Sequence, residues 1–273
     1  MTARRLWAFF LLGLVGSILG AITSPAKAAP AEPPPATPTA YMDCRALPAN
    51  TPPPIWQARL ARAADRYRAP APAQAKALAQ RLAFTAFPSP SNMCGPLSLA
   101  ILRSAGLLPP TTPLDAFWLL NPRHDARIIR RILPPTRFCH THVAQPLDKF
   151  DFQAFPLQPG DLLYLYAGRW DTFEHIFVVS RVDDAGRAYA VTNLNLAPEG
   201  VYVVREVLLY DPARPGVGQV YEWTNRAYAA TIGVTGHGGF DLWRPLWGKI
   251  PTSLPTASGR LPSCLLNRCP GVR

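Results

Sequence analysis

The sequence predicts an α+β domain in which N-terminal helices pack on one side of a C-terminal antiparallel sheet. Two observations carry this. Apolar residues recur at helical spacing as far as about residue 133, whereas beyond Phe155 they alternate or run together in short stretches. A hairpin signal then stands in the second half: HIFVVSRV and AYAVTNLN are two apolar runs separated by Asp184-Ala185-Gly186, with Gly186 available for a left-handed position. With 48% hydrophobic residues the chain can build a sizeable core.

The elements follow in order. Residues 1–28 read as a signal peptide or an uncleaved membrane anchor. Arg4 and Arg5 precede an apolar run from Leu6 to Ile22, and Ala26-Lys27-Ala28 supplies a small-x-small cleavage pattern. Either outcome places the rest outside the cytoplasm, secreted or held at the cell surface. Residues 29–54 form a Pro-rich linker, since APAEPPPATP cannot hold a helix or a sheet interior. The folded domain is expected over 55–247.

Trp56, Leu60, Ala63, Ala64 and Tyr67 share one side of a helix over Ile55–Tyr67, and an alanine-rich helix follows over Gln74–Phe84. PSPSN then leads into MCGPLSLAILRSAG, a buried helix with Pro96 near its start and Gly106 as its stop. Leu114–Leu120 and Asp125–Leu133 are further helices. In the second, Ile128, Ile129, Ile132 and Leu133 are expected to face inward, with Arg127, Arg130 and Arg131 outward. LQPGDLLYLYAG is a turn and strand, VYVVREVLLYDP another strand, and TNRAYAATIGVT and GGFDLWRP weaker ones. Residues 248–273 form an irregular tail with a possible Cys264–Cys269 disulfide.

The five cysteines fit an oxidising compartment, where an odd count leaves one thiol unpaired. Pairing Cys264 with Cys269 and Cys44 with Cys139 leaves Cys94 free. Cys94 opens the buried helix, where terminal N–H groups and the helix dipole favour a thiolate and can hold an oxyanion. Ser91 and Asn92 could cap that helix or add a donor. His175 begins a strand after a polar, turn-rich stretch and can serve as a base. A three-residue loop facing Asp183 with Arg187 would set His175 opposite Asn195, with Asn193 on the same strand face; either amide could orient the imidazole. Trp170, in the loop before His175, could line a substrate groove. The bland alternative makes Cys94 an inert core thiol and His175 a satisfied strand-end residue.

The pieces NMCGPLSLAIL, PGDLLYLYAG, HIFVVSRVD and YAVTN together resemble the papain-like cysteine peptidases of bacteria. Bacteriocin-leader peptidase-like proteins share the Cys-Gly-Pro helix start, and NlpC-type and CHAP cell-wall amidohydrolases the Pro-Gly-Asp strand before a histidine. The resemblance covers about residues 85–210. It implies a papain-like core with Cys94 as nucleophile, His175 as general base and acid, and Asn193 as orienter, without a cofactor or metal. One departure is Pro88, where the leader-peptidase relatives usually carry a glutamine for the oxyanion hole.

The function so implied is an exported thiol hydrolase cutting amide bonds in peptidoglycan stem or cross-link peptides. An acyltransferase with an amine acceptor would use the same residues. A non-catalytic surface-binding or scaffolding domain is the alternative of another class, and it requires Cys94 to be buried and out of reach of His175. The formal charge of +11 makes an anionic wall polymer or membrane surface a possible partner. Nucleic acid is not expected, because the arginines at 123–137 lack interleaved aromatics. A monomer is expected. Cys139-His140-Thr141-His142, with Asp148 or Asp151 nearby, matches no standard zinc spacing and reads as a plain extended segment.

Overall fold

The computed structural model describes residues 40–47, 50–82, 89–117, 126–167, 173–196, 200–225 and 236–250. The leader at 1–28, residues 29–39 and 48–49 of the linker, Trp170, residues 226–235 of the TNRAYAATIGVT segment, and Cys264 with Cys269 lie outside the described residues. No helix among the described residues is long and apolar enough to cross a membrane.

Four helices precede most of the sheet: α1 (Pro54–Asp65), α2 (Pro72–Leu82), α3 (Cys94–Ala105) and α4 (Ala126–Ile132). Pro54 starts α1, where its missing N–H leaves no hydrogen bond unmade. Trp56, Leu60, Ala63 and Ala64 form its buried stripe. In α3 nearly every side chain is buried, and Gly106 ends it at φ 88, its N–H donating to Arg103 and Leu102 carbonyls. Burying Leu97, Leu99, Ile101 and Leu102 stabilises the fold by roughly 1.5–3 kcal/mol each. Residues Leu114–Phe117 form a 3₁₀ turn rather than the start of a described α-helix. Ile128 is 37% exposed, so α4 turns only Ile129 and Ile132 inward. Seven residues make two turns, too short a helix for a wider buried stripe.

The sheet is antiparallel and six-stranded: β1 (Phe138–Val143), β2 (Leu162–Tyr166), β3 (Phe173–Val182), β4 (Ala188–Leu196), β5 (Val201–Tyr210) and β6 (Phe240–Pro245), in spatial order β1-β6-β2-β3-β4-β5. A short α5 (Gln219–Thr224) lies between β5 and β6. The α+β class and the helix-on-sheet arrangement are thus as the sequence predicts. β1 is an addition, because FCHTHV carries a strand's alternation behind two polar histidines.

Both sheet faces are buried. One carries Tyr164, Tyr166, Ile176, Val178, Val191, Val204 and Trp243 under α1, α2 and α3. The other carries Leu163, Leu165, Phe177, Val179, Ala190 and Leu194 under Leu147, Phe152, Leu157 and Trp223 of α5. A sheet covered on both sides explains why LLYLY in β2 is buried at every position.

The PGD turn before β2 is built for packing. Gly160 sits at φ +92, and a Cβ there would stand 3.0 Å from Pro245 Cγ and 3.2 Å from the Trp247 ring. Asp161 receives two hydrogen bonds from Arg244, at 2.8 and 2.7 Å, with both groups buried. On the far side of Arg244, whose strand partner on β1 is Cys139, a disulfide joins Cys44 to Cys139 across 95 residues and fixes segment 40–46 beside β1. Met42 O accepts from His140 N at 3.0 Å, and Thr141 Oγ1 accepts from Cys44 N at 3.1 Å.

Candidate functional site

Cys94 is the free cysteine of the described residues, it opens α3, and it is 3% exposed. Its surroundings decide its chemistry. Burial pushes the thiol from an ordinary 9.0 up to about 12, against the opposing help of backbone hydrogen bonds from Ile176, Gly95 and its own residue. That displacement corresponds to about 4 kcal/mol against the thiolate. A helix terminus offers about 0.3–1 kcal/mol in the other direction, so desolvation wins. Ser98 Oγ locks the same region, donating to Cys94 O at 2.8 Å and lying 3.4 Å from Ile176 O.

His175 lies on β3 one residue before Ile176, and its ring belongs to the opposite layer. It sits 5.0 Å from the Trp223 ring and 6.1 Å from Phe177, and its Nε2 bonds Thr192 Oγ1 at 2.8 Å. Burial draws its pKa from 6.5 down to about 4, so it is neutral in the folded chain. Cys94 and His175 therefore point to different faces of the sheet.

A β-bulge accounts for this. Val182 pairs with Ala188 and Arg181 with Tyr189, yet Val179 pairs with Ala190, so β3 carries one extra residue at Ser180. The turn itself is as expected, with Asp183 N donating to Arg187 O at 3.1 Å. Without the extra residue the register would reach His175 opposite Asn195. With it, the register carried on from Val179 and Ala190 would set His175 opposite Leu194, and a one-residue slip exchanges the faces. The expectation that Asn195 or Asn193 shares His175's face is corrected: Thr192 does.

The other anticipated residues are employed locally. Asn193 Nδ2 donates to Pro90 O at 2.8 Å, on the Cys94 side. Its Oδ1, like that of Asn195, is buried with no hydrogen-bond partner among the described residues. Asn92 Oδ1 accepts from Ser89 N at 3.2 Å in a capping box, and Ser91 Oγ is 2.8 Å from Ser89 Oγ. Asp161 of the PGD motif holds Arg244 rather than any catalytic group. His237 stands in a turn.

A second constellation has more polar chemistry. His140 and His142 alternate on β1 and therefore share a face. His140 Nε2 and His142 Nδ1 both reach Asp241 Oδ1 of β6, at 2.9 and 3.0 Å, and Tyr166 OH of β2 donates to Asp241 Oδ2. Burial alone would raise the Asp241 pKa, but the bonds from His140 and Tyr166 and the histidine charges outweigh it and hold the group below the usual carboxylate range. His140 stacks on Trp243 at 4.9 Å. These groups border a cleft of about 400 Å³ whose other walls include Tyr41, Ile129 and Arg130. Among the described residues no group of three or more His, Cys, Asp or Glu is arranged to hold a metal ion.

The His-x-His alternation was the signal for this cleft. Its acidic partner is not the neighbouring Asp148, which pairs with Lys149, nor Asp151, which caps the turn at Gln153. It is Asp241, brought in by the pairing of β1 with β6. No family model, curated protein or solved structure matches this chain.

Proposed function

We propose that this chain is a non-catalytic, extracytoplasmic binding domain in which Cys94 is a core thiol. One observation carries the reading: Cys94 packs against Ile176 on the helix-covered face of the sheet, while the adjacent His175 bonds Thr192 on the other. A thiol hydrolase of peptidoglycan peptides and an amine-accepting acyltransferase share one need, an imidazole within reach of the sulfur to take its proton. The burial of both groups works against the charged pair, raising the thiol pKa and lowering that of the imidazole.

The extracytoplasmic placement rests on the Arg4-Arg5 and apolar leader and on the disulfide Cys44–Cys139. An anionic wall polymer or membrane surface as partner is supported by the charge of +11 and by a cleft of about 270 Å³ where Arg66, Arg68 and Arg81 converge.

The test is iodoacetamide labelling of the non-reduced protein across pH, read at Cys94 by mass spectrometry. With the thiol at about 12, the thiolate fraction at neutral pH falls about a thousandfold below that of an ordinary thiol, and labelling slows at least as much. His175→Ala is expected to leave that rate unchanged while the fold holds. Rapid labelling that depends on His175 would overturn the proposal and restore the hydrolase.

A further inference from the structure

The His140–Asp241–His142 cleft has a chemistry that the buried thiol does not share. Asp241 is 3% exposed, and both of its oxygens are engaged, Oδ1 by the two imidazoles and Oδ2 by Tyr166. The carboxylate is thus committed to holding the rings, and the accessible polar surface is nitrogen. The side chains of His140 and His142 are 26% and 40% exposed. Arg130 closes the wall opposite from α4, and its Nε is buried with no hydrogen-bond partner among the described residues. Tyr41 OH is spent on Leu133 O. Ile129 and Trp243 supply apolar wall.

We propose that this cleft binds a small organic carboxylate, its oxygens held by the Arg130 guanidinium and the His140 edge and its apolar body against Ile129. The inference deepens the binding-domain reading and rests on it. Charge decides the ligand class. Arg130 and Asp241 cancel, and a carboxylate buried about 3 Å from both imidazoles disfavours a phosphate dianion more than a monoanion. A guanidinium matches a carboxylate through paired N–H donors. An imidazole nitrogen that donates to Asp241 carries a hydrogen, so His140 can also donate to the ligand only as imidazolium. The charged and titratable groups around the two histidines are Asp241, Arg130 and Tyr41, with Tyr166 at the edge of His142.

The experiment titrates the non-reduced full chain with N-acetyl-alanine, N-acetyl-alanine amide and inorganic phosphate. Calorimetry is combined with the histidine side-chain NMR resonances. Saturable binding of N-acetyl-alanine is expected, with shifts at His140 and His142, and none of the amide. Arg130→Gln, at a half-buried position, is expected to weaken binding at least about tenfold, equivalent to about 1.4 kcal/mol, with the urea midpoint reporting that the fold is kept. No binding of the carboxylate at millimolar concentration, phosphate bound in preference to it, or affinity unchanged in Arg130→Gln would each overturn the proposal. Cys94 labelling is a separate readout, so failure of this site and failure of the binding-domain reading are told apart.

Discussion

Replacing Asp161 with alanine leaves the Arg244 guanidinium buried without its counter-charge. In the native chain the two groups are 0% and 6% exposed, joined by hydrogen bonds of 2.8 and 2.7 Å. Truncating one partner of such a pair costs about 3–5 kcal/mol, because the remaining charge cannot return to water. Two contacts soften the loss: Arg244 also donates to Pro156 O at 2.8 Å and lies 4.3 Å over the Phe155 ring. The lower end of the range, about 3 kcal/mol, is therefore expected. For a domain of this size that lowers Tm by roughly 6–12 °C. Urea unfolding of the oxidised protein measures it, with an unchanged slope and a shifted midpoint. The double variant Asp161→Leu with Arg244→Met removes both charges and is expected to recover most of the loss. A cost below about 1 kcal/mol for Asp161→Ala, or no recovery in the double variant, would refute the view that the PGD turn serves as an anchor for β6.

Two further outcomes follow from the same packing. His175 is neutral in the fold with its pKa drawn to about 4, whereas the unfolded chain takes up a proton below about 6.5, so stability is whole above 6.5 and lost as pH falls toward 4. The loss reaches about 3 kcal/mol; His175→Gln is expected to flatten the profile in that window, and equal slopes in the two proteins would count against it. Opening the Cys44–Cys139 bridge with paired serines frees a loop spanning 95 residues, with an expected loss of about 2–5 kcal/mol in urea unfolding. A loss under about 1 kcal/mol would mean that segment 40–46 is not anchored by it.

Much of the fold was legible because its signals are local. The Trp56, Leu60, Ala63 and Ala64 stripe, the Gly106 stop and the Asp183–Arg187 turn each lie within a few residues of the structure they specify. The Cys44–Cys139 pair came from counting thiols. The site was less legible, since its geometry is set at a distance. Nothing in the letters around Ser180 marks an extra residue, yet it decides which layer His175 joins. Asp241 stands about a hundred residues from the histidines it holds, so only strand pairing reveals the cluster. Ile128 looked inward by period, but a two-turn helix at the edge of the core has room for fewer contacts.

The bulge at Ser180 makes the function of β3 a matter of parity. An even or odd number of residues between the hairpin turn and His175 decides which of two hydrophobic rooms the imidazole enters, the one with the thiol or the one with Trp223. A single deletion there would bring the histidine onto the thiol's side without altering either residue. Strand length, counted residue by residue, thus acts here as a toggle between a chain with catalytic letters and one with a catalytic pair.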